Sequence, residues 1–194
     1  MKKLLISLLG MCLCAAAFAQ DYAGYSASIF TKATSLPSIS IIKAPIHPGL
    51  RLAKNWSQGR KDGKEHYGFR ELAIGAFHHK QFQNSVYATY NFGYHRELGL
   101  GIHAEAMAGL GYMHSFSGKA IYKPQDNGDW KQVADWGRPN VVVSTQLGLG
   151  YDIKGFPLKP FIRYELMMQG PWAPENGFFT QPHTAFHIGA AFSF

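Results

Sequence analysis

The stretch from Leu100 to Met113 constrains the fold of this chain more than any other. Leu100, Ile102, Ala104, Ala106, Ala108, Leu110 and Tyr112 share one parity, while Gly101, His103, Glu105, Met107, Gly109, Gly111 and Met113 share the other. A period of two is the mark of a pleated strand, whose successive side chains point to opposite faces. Soluble strands run about five or six residues. This alternation is far longer, and long enough to cross a bilayer at a tilt. One face is wholly apolar or aromatic, and the other carries His103 and Glu105 among small residues and methionines.

The same pattern recurs along the chain. Leu50, Leu52, Lys54 and Trp56 alternate with Gly49, Arg51, Ala53 and Asn55. Leu72, Ile74 and Ala76 alternate with Glu71, Ala73, Gly75 and Phe77, and Val86, Ala88, Tyr90, Phe92 and Tyr94 with Tyr87, Thr89, Asn91, Gly93 and His95. Further strands are expected over 141–152 and 161–169, with Ser144, Gln146, Asp152, Arg163, Glu165 and Gln169 on their polar faces. Residues 23–44 hold one more strand at a position the sequence leaves open, with Tyr25, Ala27, Ile29 and Thr31 against Ser26, Ser28 and Phe30, and a second β-prone run over 39–42.

The N-terminus reads as an export signal: Lys2 and Lys3, an apolar run from Leu4 to Phe18, and small residues Ala17 and Ala19 before Gln20. Residues 1–19 are therefore assigned to a cleaved signal peptide and 20–194 to a single domain. Cys12 and Cys14 both lie in the signal, so the mature chain has no thiol or disulfide chemistry. The formal charge of +7 falls to +5 when Lys2 and Lys3 leave. Such an excess on an exported protein points to anionic headgroups or lipopolysaccharide phosphates. The basic residues are scattered and no nucleic-acid motif is present, which argues against a nucleic-acid partner. No apolar run of about eighteen residues follows the signal, so a membrane span has to be a closed sheet.

The last stretch, His183 to Phe194, places Phe186, Ile188, Ala190, Phe192 and Phe194 on one face and His187, Gly189, Ala191 and Ser193 on the other. It resembles the terminal strand of outer-membrane β-barrels, in which a C-terminal aromatic residue and alternating apolar positions are read by the barrel-assembly machinery. The resemblance makes Phe186, Ile188, Phe192 and Phe194 an assembly signal. Placing Phe194 at the periplasmic face puts loops 78–84, 115–140 and 170–180 outside and the turns at 96–99 and 153–158 inside. This gives long external loops and short periplasmic turns, and bacterial barrels use an even strand number. The expected fold is thus an all-β, eight-stranded antiparallel up-and-down transmembrane barrel, similar by pattern to the OmpA- and OmpX-type barrels.

An eight-stranded barrel is wide enough only for side chains to fill it. Arg51, Glu71, His103, Glu105, Asp152, Arg163, Glu165 and His187 all fall on inward faces. Buried charges have to pair, and Glu105 is expected beside Arg163 or Arg51. No catalytic, cofactor or metal residue is assigned. His78 and His79 are consecutive, so on a strand they diverge and cannot share a metal. His114, Ser115 and Ser117 sit where lipid A deacylases and acyltransferases place histidine and serine, but adjacent residues point to opposite faces. The expected protein is a monomer of the outer membrane without cofactor, anchoring or interacting at the surface. A lipid A-modifying enzyme and a narrow channel are the alternatives.

Overall fold

A computed structural model describes residues 23–34, 46–58, 65–80, 82–126, 128–171 and 179–193. The assigned signal peptide, the 39–42 run and Phe194 lie outside the described residues. Ten strands form within them: β1 (Ala23–Ala33), β2 (Pro48–Gln58), β3 (His66–His78), β4 (Gln83–Gly99), β5 (Ile102–Ser117), β6 (Ile121–Pro124), β7 (Trp130–Val133), β8 (Arg138–Tyr151), β9 (Leu158–Gly170) and β10 (Gln181–Ser193). Eight close a barrel in the order β1-β10-β9-β8-β5-β4-β3-β2, and β6 and β7 form a separate hairpin. Every neighbour is antiparallel, and β1 pairs with β10 from Gly24↔Ser193 to Ala33↔Thr184, which closes the sheet. Closure gives each strand two partners and leaves no open edge, the condition for a sheet to lie in lipid.

The barrel strands are long enough for that setting. A thirteen-residue strand such as β9, at about 3.3 Å per residue and a tilt near 40°, rises roughly 33 Å against an apolar band of about 25 Å. The apolar parity faces out. Leu50, Ile74, Phe92, Leu110, Val143, Leu147, Ile162 and Ile188 are all exposed, forming a continuous belt rather than the scattered apolar residues of a water-facing surface. Near the end expected to face the periplasm, charged residues interrupt this belt, among them Lys54 and Arg70. The Lys54 ammonium lies over the Tyr25 and Trp56 rings, 5.8 and 5.3 Å from their centroids, and Arg70 lies over Phe92 at 5.8 Å. Long cations with aromatic neighbours at this depth carry their charge toward the headgroups.

Three boundaries differ from the expectations. Leu100, assigned to an outward face, lies in the β4–β5 turn with φ 55° and is 93% exposed. It is flanked by Gly99 and Gly101, also at positive φ, and the register slips between Glu97 and Gly99. A tight reversal took precedence there over the alternation. The 115–140 stretch is shorter as a loop than the sequence suggests, because β5 runs to Ser117 and β8 starts at Arg138, with the β6–β7 hairpin between them. Asp152 lies just past the end of β8, in the turn.

The interior is layered. The outer half is filled by an apolar plug of Phe30, Phe77, Tyr87, Met113, Val142, Met167 and Ala185, which alternation alone does not separate from the polar inward residues. Glycines make room for the rings. A Cβ at Gly75 would stand 2.4 Å from the Tyr87 ring, so only glycine lets the phenol cross the face of β3.

Candidate functional site

The middle of the lumen holds one connected polar network. Arg51 reaches Glu71 with both terminal nitrogens, and Arg163 Nη1 reaches the same carboxylate at 3.3 Å. Asn91 donates to Glu71 Oε1 at 2.9 Å, and Ser144 donates to Asn91. Arg163 Nη2 continues to Glu105 Oε2 at 3.0 Å. Gln146 donates to Glu165 Oε1 at 2.8 Å. His187 Nε2 lies 3.0 Å from Glu165 Oε2, and its Nδ1 is 3.2 Å from the Ser28 hydroxyl.

The register explains this convergence. Along one row, His95, Glu105, Gly148, Arg163 and His187 are successive partners across β4, β5, β8, β9 and β10. Arg163 packs beside Gly148, where a Cβ would lie at ordinary contact distance, 3.5 Å from Arg163 Cγ. Arg51, Glu71, Arg163, Glu165 and His187 are buried, and Glu105 and Asp152 keep partial access to solvent at the periplasmic end. Glu105 pairs with Arg163 and not with Arg51, whose carboxylate is Glu71.

At the periplasmic mouth His103 Nδ1 faces Asp152 Oδ1 at 3.6 Å, and Lys159 holds the same oxygen at 2.9 Å. Toward the outer mouth, Gln83 donates to Gln169, Gln169 to the Ser115 hydroxyl, and His183 Nε2 lies 2.7 Å from Gln169 Oε1. Lys32 is buried with its ammonium 3.1 Å from the centroid of the Phe77 ring. His47 and His79, in the segments bordering β2 and β3, stack at 3.5 Å. Burial pushes both imidazoles below the usual histidine range, with the nearby Lys32 charge adding to it. Asn91, His95, Gln146 and Gln169 have inward parity in the sequence, and Lys32, Lys159 and His183 continue the inward parity of Ser28, Arg163 and His187 to positions near the strand ends.

His114 and its neighbouring serines do not form a nucleophile–base pair. His114 Nδ1 is 2.8 Å from the Tyr112 hydroxyl, and Nε2 is 3.0 Å from the Trp136 carbonyl oxygen. Ser115 faces the lumen, where it bonds with Ser85, Asn140 and Gln169. The Ser117 hydroxyl accepts from the Lys119 amide. Outside the barrel, the β6–β7 hairpin carries exposed Tyr122 and Trp130, with Trp136 at 86% exposure on the return to β8. Lys123 lies opposite Lys131 across this hairpin.

No protein-family model matches the chain, and no curated protein matches it by sequence. Solved structures do. Neisserial surface protein A aligns with 89% of this chain and 96% of its own, at 10% identity and a TM-score of 0.55. A de novo designed transmembrane β-barrel aligns with 89% of this chain and 95% of its own, at 9% identity and a TM-score of 0.50. Identity this low speaks to architecture. The chain has the fold of the small eight-stranded outer-membrane barrels.

Proposed function

We propose that this protein is an integral outer-membrane barrel that anchors and displays its external segments for contact at the cell surface, with the barrel serving as a sealed pedestal. The observation that carries this reading is the contrast between the two parts of the molecule. The lumen is crossed by an ion-pair network and an apolar plug, whereas the β6–β7 hairpin offers exposed aromatic and basic side chains beyond the barrel. Buried, mutually bonded charges suit a rigid plug better than a water path, because each needs its partners to offset desolvation. Exposed tryptophan and tyrosine beside lysine suit contact with other molecules, since rings supply area at small entropic cost. The lysines Lys119, Lys123 and Lys131 share this segment with Asp126, Asp129 and Asp135, so its contacts draw on both signs of charge. Insertion through the barrel-assembly machinery and a monomeric state complete the reading.

Protease treatment of intact cells tests it. Cleavage after Lys119 or Lys131 should occur on whole cells and leave a core that still shifts on a gel between boiled and unboiled samples. A hairpin protected on whole cells and cleaved only after the envelope is opened would reverse the orientation and sink the display role. The acyl-ester enzyme is less well supported, since both His114 nitrogens are engaged away from any serine. An unchanged lipid A mass on expression is the expected result.

A further inference from the structure

The periplasmic mouth contains a donor set that shares Glu105 with the ion-pair network and adds two imidazoles to it. His95 lies opposite Glu105 in the β4–β5 register, and His103 precedes Glu105 by two residues on the same inward face. His95 Nδ1 is 3.4 Å from Glu105 Oε1, and His103 Nε2 is 3.9 Å from the same oxygen. The three donor atoms fall within 4.8 Å of one another. Donors around a tetrahedral zinc-sized ion stand about 3.3–3.6 Å apart, given bonds of about 2.0–2.2 Å. The cluster therefore needs only small side-chain rotations to close.

We propose that His95, His103 and Glu105 bind one divalent transition-metal ion of the zinc or cobalt class, facing the periplasm, with a water molecule completing the coordination. Two imidazoles and one carboxylate favour such ions over magnesium or calcium, which take oxygen donors. Two of the three ligands have a charged neighbour behind them of the type that metal sites use. Asp152 stands 3.6 Å behind His103 Nδ1 and is held by Lys159. Arg163 takes Glu105 Oε2 at 3.0 Å, which leaves Oε1 turned to the two imidazoles.

The rings are packed against neighbours. Tyr67 stacks on His95 at 4.5 Å, and His103 lies 4.5 Å from His95 at a tilt. A Cβ on Gly150 would come within 2.2 Å of His103 Nε2, so the glycine admits the ring. A cavity of about 80 Å³ adjoins the cluster, lined in part by Asn55, Tyr67 and Lys159, with room for the water. Glu105 and Asp152 offset Arg163 and Lys159, so these four groups add no net charge of their own against an incoming cation.

Tag-free barrel refolded in detergent, with folding verified by the heat-dependent gel shift, is titrated with Co2+ and followed by visible absorption, then with Zn2+ in competition. One Co2+ per barrel with intense tetrahedral bands, displaced by Zn2+, is expected. His95→Gln and His103→Gln should each weaken binding at least tenfold, whereas His79→Asn at the opposite mouth should leave it unchanged. Absence of stoichiometric Co2+ or Zn2+ binding by the folded wild-type barrel overturns the site, whatever the variants do. So does binding that survives both substitutions at the periplasmic mouth but is lost in His79→Asn. The gel shift separates these outcomes from a failure of the barrel reading itself.

Discussion

Glu71→Gln is the sharpest probe of how this barrel is held together. The carboxylate is fully buried and receives Arg51, Arg163 and Asn91. Glutamine keeps the shape but removes the charge and turns an amide NH2 group toward guanidinium donors. Arg163 retains Glu105 and Gln146, whereas Arg51, also buried, loses its direct carboxylate partner. Removing one partner of a buried pair costs about 3–5 kcal/mol, a factor of roughly 10²–10⁴ in the folding equilibrium at 1.36 kcal/mol per decade. Replacing the pair together, as Arg51→Met with Glu71→Leu, removes both desolvated charges and should recover most of that loss. Equilibrium urea unfolding of the barrel in lipid vesicles, followed by tryptophan fluorescence and checked by the gel shift, measures all three proteins. A cost under about 1 kcal/mol for Glu71→Gln would refute the buried network as described, as would a double variant no better than the single one.

Other consequences of the structure can be tested in the same system. Leu110 lies midway along β5 on the lipid face, 63% exposed, so Leu110→Lys should cost about 2–4 kcal/mol in bilayers. Trp130→Lys on the hairpin should leave barrel stability unchanged. Gly75→Ala places a Cβ 2.4 Å from the Tyr87 ring and should destabilise by about 1–3 kcal/mol, with Tyr87→Leu suppressing the defect. The wild-type barrel should show no steady conductance in planar bilayers, and open channels of uniform size would contradict the plug. The pKa values of His47 and His79 are depressed, chiefly by burial. Their stacked arrangement is therefore fully favoured above the ordinary histidine value of about 6.5 and loses stability as pH falls below it. An NMR titration of the two rings should give midpoints below that value; a midpoint at or above it for His79 would remove this pH dependence.

Much of the architecture was legible from parity alone. A strand that sits between lipid and a narrow lumen has to alternate, and the alternations through Leu110, Phe92, Leu147 and Ile162 fixed which side chains face out, while their lengths fixed that a bilayer is crossed. Parity also turned Arg51, Glu71, Arg163 and Glu165 inward, and the even-strand rule required a strand before β2, found as β1 at Ala23–Ala33. What parity cannot give is the stagger between strands, because a closed barrel adds a register shift at every pairing that no single strand encodes. That stagger decided that Arg51 meets Glu71 while Arg163 bridges to Glu105. It also brought His95 against His103 across the β4–β5 turn and gathered Phe30, Phe77 and Met167 from three strands into one plug. The positive φ at Leu100 and the β6–β7 hairpin were likewise tertiary outcomes, since turn geometry and pairing across a loop depend on where the flanking strands end. The sequence by itself determined which face of each strand meets lipid, a local property of alternating side chains. Only the closed sheet decided which buried groups meet one another, because those contacts join residues far apart in the chain through the stagger of the barrel.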